Sequence, residues 1–135
     1  MIGIDTNVLV RYIVQDDEQQ AALAANAIEA CSVRDPGWIS AVVLCETAWV
    51  LSRAYGYEKT MVEGVLKRIL LAAELAVEQQ EQAWLALQDF AEGNADFSDY
   101  LIAHMNHASG CEYTITFDKK ASSHRLFRLL KKTSG

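Results

Sequence analysis

The sequence predicts an α/β fold: a parallel sheet covered by helices on both faces. Two observations carry this. Short apolar runs bounded by turn residues alternate with amphipathic stretches of helical period, and this alternation is the mark of crossover connections between parallel strands. The length, 135 residues with 51% hydrophobic content, suits one core, so a single domain over residues 1–135 is expected. There are only 7 Gly and 1 Pro, no internal repeat and no low-complexity run.

The elements read in order as follows. "IGID" is an apolar run ending in Asp5, a first strand, and "TNVLVRYIV" opens a helix at once. "DDEQQAALAANAIEAC" is a helix with Asp16 or Asp17 as N-cap and acids in its first turn, where they complement the helix dipole. "DPGWIS" gives a turn and a short strand. Ser40 then caps "AVVLCETAWVLSRAYG", which stops at Gly56. "EKTMVEGVLKRILLA" is amphipathic, "LAVE" fits a short strand, and "QEQAWLALQDFAEG" is a helix with a Gly stop. "DFSDYLIAHMNHASG" is the next helix, "EYTITFD" a strand ending in Asp118, and "HRLFRLL" fits strand or helix.

Charge and cysteine content narrow the function classes. All 18 acidic residues lie in residues 1–118 beside 6 basic ones, whereas residues 119–135 hold 6 basic residues and no acid. An acidic body does not attract nucleic acid nonspecifically. The basic tail fits phosphates, an acidic partner or simply a solvated face. Cys31, Cys45 and Cys111 are scattered and odd in number, against a disulfide framework and for a cytoplasmic location. The N-terminus "MIGIDTNVLV" lacks the basic region of a signal peptide, and no apolar stretch is long enough for a membrane span.

Four carboxylates stand out. In parallel sheets the ligand site lies beyond the carboxyl ends of the strands, where Asp5 and Asp118 fall. Glu46 sits mid-helix with Val42, Val43, Trp49 and Val50 as its helical neighbours, none a cation. Asp99 has Ala95, Asp96, Ile102 and Ala103, so its one charged neighbour is a like charge that opposes ionisation. Read as buried, Glu46 and Asp99 each need a distant cation, a shared proton or a metal ion. A cluster of oxygen-only ligands suits Mg2+ or Mn2+ rather than zinc. Asp96 would then sit at the rim of the metal pocket.

The segments "IGIDTNVLVRYI", "ISAVVLCETAWVL", "ADFSDYLIAHMN" and "TITFDKKAS" resemble, in order, the four acidic motifs of the PIN domain, and most closely the bacterial VapC-type toxins. The resemblance runs over nearly the whole chain. It implies a PIN-like α/β/α sandwich and an Mg2+- or Mn2+-dependent endoribonuclease. It places the metal-binding, catalytic acids at Asp5, Glu46, Asp99 and Asp118, with Asp96 an extra acid one turn earlier. Thr6 and Asn7 match the polar pair that orients the first Asp, Ser40 a helix-start Ser, and Thr116 a hydroxyl before the last Asp. It also implies an RNA substrate, a VapB-type antitoxin as partner, and a homodimer.

Other readings stand beside this one. Arg11 is either a phosphate or antitoxin contact, or a surface residue paired with an acid such as Asp16. His104, His107 and Cys111 have zinc-like spacing but lack a fourth ligand, so ordinary core or surface roles are expected. Trp38, Trp49 and Trp84 read as core, and Cys45 as packing. A phosphatase of the haloacid dehalogenase type needs an acid two residues after Asp5, where Asn7 stands. A response-regulator receiver fits Glu46 poorly. The rival from another class is a PIN-like module that binds RNA or protein without cutting.

Overall fold

Parallel pairing organises both halves of the chain. The computed structural model describes residues 1–132, which fall into two compact units, Met1–Gln80 and Glu81 onward. In the first unit, β1 (Ile2–Gly3), β2 (Gly37–Ile39) and β3 (Leu75–Val77) form a parallel sheet in that order. The strands are shorter than their apolar runs, because each chain turns into a helix as soon as it leaves the sheet. Parallel register brings three polar residues to one edge: Asp5 after β1, Ser40 after β2 and Glu78 after β3.

The helices of this unit begin at those polar residues. Asp5 is the N-cap of α1 (Thr6–Val14), and Asp17 caps α2 (Glu18–Glu29) by accepting the Gln20 N–H at 3.0 Å. Ser40 caps α3 (Ala41–Arg53) by accepting from the Val43 N–H at 3.2 Å, and Glu78 accepts the Ala41 N–H at 2.8 Å. Two of the four N–H groups left over at this helix start are thereby satisfied. α3 buries Ala41, Leu44, Thr47, Ala48 and Leu51, one stripe at helical spacing, and packs against α1 and α4 (Lys59–Leu71). Gly37 lies in a close approach: a Cβ there would be 2.5 Å from Ile4 Cδ1 and 3.1 Å from Leu75 Cδ2, so side chains would have to shift.

The second unit contains α5 (Gln80–Glu92), α6 (Phe97–Ala108), β4 (Thr114–Thr116), a 3-10 turn (Ala121–Ser123) and β5 (Phe127–Leu129). β4 and β5 pair in parallel, which resolves the ambiguous "HRLFRLL" as a strand. α5 ends just before Gly93, where a Cβ would meet the Tyr100 hydroxyl at 1.9 Å. That hydroxyl accepts the Ala95 N–H at 3.1 Å and fixes the turn into α6. Residues 133–135, the end of the basic tail, lie outside the described residues.

Two tryptophan and glutamate expectations need correction. Trp49 is 59% exposed, and Glu46 is exposed as well. Both lie on the face of α3 opposite its buried stripe. The apolar neighbours that made Glu46 look buried, Val42 and Trp49, are themselves on that outer face. No helix among the described residues is long and apolar enough to cross a membrane.

Leu44 is fully buried, so Leu44→Ala should destabilise the protein by about 2–5 kcal/mol. Ser40→Ala should cost roughly 1 kcal/mol through the lost cap. Urea unfolding followed by far-UV circular dichroism measures both.

Candidate functional site

The first unit holds a cavity of about 360 Å³ lined by Asp5, Thr6, Asn7, Val10, Arg11, Glu46, Val50 and Tyr55. Asp5 reaches it because β1 ends and α1 begins there. Its Oδ1 accepts the Thr6 N–H at 2.8 Å, which fixes the carboxylate at the helix start. The buried Thr6 donates its hydroxyl to Glu46 Oε1 at 3.1 Å, tying α1 to the outer face of α3. Asp5 and Glu46 thus share one pocket, linked through Thr6. Neither takes part in an ion pair seen among the described residues.

The cation of this pocket is engaged elsewhere. Arg11 Nη1 donates to Asp16 Oδ1 at 2.8 Å and to the Tyr55 hydroxyl at 3.1 Å, and its Nε donates to Gln20 Oε1 at 2.7 Å. Tyr55 in turn donates to Asp16 Oδ2 at 3.0 Å. Burial pushes the Asp16 carboxyl up, but the hydrogen bonds from Tyr55 and Arg11 outweigh it and hold it below the usual carboxylate range. The Asp16 hydrogen bond and charge raise the Arg11 guanidinium's proton affinity. The surface pairing foreseen for Arg11 is therefore present, in a residue that also lines the pocket.

In the second unit, Asp99 is half-buried in the first turn of α6. Its Oδ2 accepts the Asp96 N–H at 3.3 Å, so this carboxylate at the edge of an apolar face also closes the helix start. Burial pushes the Asp99 carboxyl up, and the charges of Asp118 and Asp96 add to that, outweighing the hydrogen bond from the Asp96 backbone. Asp118 follows β4. Its Oδ1 accepts from the Lys120 and Ala121 N–H groups at 2.8 and 3.2 Å, while its own N–H donates to Thr116 Oγ1 at 3.0 Å. Thr116 therefore positions Asp118 through the backbone.

One group of three ligand-type side chains gathers among the described residues: Asp89, His104 and His124, with ligand atoms all within 4.8 Å of one another. His104 Nε2 and His124 Nε2 lie 2.5 and 2.8 Å from the same oxygen, Asp89 Oδ2. These are hydrogen-bond separations. Ligand atoms around a tetrahedral zinc ion would stand roughly 3.3 Å apart. The tautomer points the same way. His124 Nδ1 accepts the Leu126 N–H at 3.1 Å, which leaves the ring proton of neutral imidazole on Nε2, aimed at Asp89. As it stands, the group is a carboxylate holding two rings together. His107 instead places Nδ1 3.3 Å from the Cys111 carbonyl, so the zinc-like spacing of His104, His107 and Cys111 gathers no site.

Several of these residues escaped the sequence reading. Glu78 follows a strand as Asp5 does, and it accepts an N–H at the start of α3, a helix 37 residues earlier in the chain. Tyr55 carries no local signal, since its partners are 39 and 44 residues away. Asp89 and His124, 35 residues apart, meet only in the fold.

Two outcomes are expected. Asp99's raised proton affinity means that folding disfavours its ionised form, so its stabilising contribution is complete at low pH and is lost as pH rises above the usual carboxylate range. In EDTA, the melting temperature of Asp99→Asn relative to wild type should therefore increase between acid and neutral pH. Asp89→Ala should cost about 1–3 kcal/mol by leaving ring N–H groups without an acceptor, measurable by urea unfolding.

Comparison with known proteins adds one finding. The family model described as PIN domain matches residues 2–125. It carries the fold that the sequence predicts, the PIN-like α/β/α sandwich of parallel strands flanked by helices. No curated protein and no solved structure matches the chain.

Proposed function

Since the chain belongs to the PIN-domain family, whose members are generally nucleases, we propose that it is a metal-dependent endoribonuclease of the VapC toxin type. By the resemblance, Asp5, Glu46, Asp99 and Asp118 are the acids that would bind Mg2+ or Mn2+. The observation that carries this reading is the pocket in which Asp5 and Glu46 stand together, joined by the Thr6 hydroxyl and outside any ion pair seen among the described residues. An oxygen-only donor set of this kind fits a hard divalent ion. The raised proton affinity of Asp99 beside Asp118 and Asp96 agrees, because a cation relieves that crowding of negative charge.

A bound ion of this class polarises a phosphate and makes water a better nucleophile. The chain's own residues prepare the place. Thr6 holds Asp5 with its N–H and Glu46 with its hydroxyl, so the two carboxylates keep a fixed spacing. Ser40 fixes the start of the helix that carries Glu46. Lys120 and Ala121 N–H groups hold one oxygen of Asp118, and Thr116 holds its backbone. The exposed Asn7 brings an amide to the same pocket, a donor and acceptor for substrate oxygens. The four motif segments in order support the VapC-type reading, and with it a VapB-type antitoxin that blocks the site, a homodimer and action in the cytoplasm.

The test is incubation of purified protein with a mixed RNA pool and matched DNA, in Mg2+, Mn2+ or EDTA. RNA cleavage should require the divalent ion and vanish in Asp5→Asn and Asp99→Asn. Thr6→Val should lose about 10–100-fold, as expected for an outer-shell partner of a metal ligand. Cleavage that persists in EDTA or in Asp5→Asn would overturn the assignment.

A further inference from the structure

We propose that Arg11 is the phosphate-binding residue of this pocket, contacting the RNA backbone beside the bond to be cut, and that Tyr55, Asp16 and Gln20 are the positioning residues that hold it there. The inference rests on reading the pocket as a ribonuclease site and names how that site grips its substrate.

Three observations support it. The first is placement. Arg11 and Tyr55 form the wall of the same 360 Å³ cavity that Asp5 and Glu46 line. Arg11 lies six residues after Asp5, mostly within one helix, so the two are separated by roughly 9 Å along its axis. That spacing suits a phosphate neighbouring the one at the acids.

The second observation is the clamp. Nε is held by Gln20 of α2, and Nη1 by Asp16 and by Tyr55, just beyond α3. Tyr55 closes the ring by donating to the second oxygen of Asp16, so its hydroxyl is donor to the acid and acceptor from the arginine. Each hydroxyl and carboxylate atom here has a consistent role. Three segments thus converge on one guanidinium and fix its plane. None of these bonds uses Nη2. Nη2 keeps its two N–H groups for a phosphate oxygen, on a guanidinium whose charge is permanent.

The third observation is charge. The net charge is −6, and all 18 acids precede residue 119, so a polyanion needs a local cation to approach the two carboxylates. Arg11 is the cation that lines this cavity. Asp16 is the counterion that keeps Arg11 from pairing with Asp5 or Glu46, which leaves both acids to a metal ion.

A purely structural pin across three segments would show the same bonds, so the test must read phosphate contact itself. Binding of a fluorescent single-stranded RNA is followed by anisotropy over a salt series, in EDTA so that nothing is cut. Arg11→Gln should lower the slope of log affinity against log salt by about 0.7, the value for one phosphate contact on a single strand. Arg11→Lys should restore that slope with weaker binding, since its ammonium is a point charge. Tyr55→Phe should raise KM for RNA cleavage a few-fold while kcat stays unchanged. An Arg11→Gln slope equal to wild type in a folded protein overturns the proposal, as does wild-type protein that binds no RNA. If Arg11→Gln does not fold, Tyr55→Phe decides, and an unchanged KM overturns it. The two readings separate cleanly. A changed slope in a protein that never cuts RNA ends the ribonuclease reading and keeps the phosphate contact. Metal-dependent cutting with an unchanged slope does the reverse.

Discussion

Backbone N–H groups left over at chain reversals govern where the polar side chains of this protein stand. A helix start has four such donors, and a parallel sheet places many helix starts at one edge. Here Asp5, Ser40 and Glu78 answer that demand in the first unit, and Asp99 and Asp118 in the second. The same geometry that satisfies the backbone therefore gathers carboxylates at strand ends and helix starts. A capping role and a ligand role are compatible, because a carboxylate has about four lone-pair sites and a cap uses one or two.

This capping geometry explains which parts of the candidate site were legible in the sequence. Asp5 and Asp118 were visible because a strand ends just before each, and Ser40 and the pair Asp16 and Asp17 because helix periodicity begins just after them. Asp99 was visible for its like-charged neighbour. Glu46 was picked out for a reason that fails in the structure. Its apolar neighbours lie on an outer face, so no burial cost marks it, yet it stands beside Asp5 in the pocket. Apolar neighbours report burial only when the whole stripe faces inward, and period alone does not say which of two apolar stripes does so.

What the sequence concealed is long-range pairing. The Arg11 clamp draws Asp16 and Gln20 from nearby but Tyr55 from 44 residues away. The Asp89 group joins residues 15 and 35 apart. No local pattern encodes such meetings, because each residue is ordinary in its own segment. The fold class itself was legible throughout: helix-strand alternation gave parallel pairing, and every helix read from the sequence formed, with boundaries shifted by a few residues where caps fixed them.

The bond from the Thr6 N–H to Asp5 has an entropic consequence. A free aspartate samples several rotamers and must give them up when it binds an ion. Asp5 gives them up as the helix start forms, and Asp118 does so at its turn. Up to roughly 1 kcal/mol per side chain is then charged to folding rather than to ion capture. An ion bound by these residues would meet carboxylates that the backbone already orients.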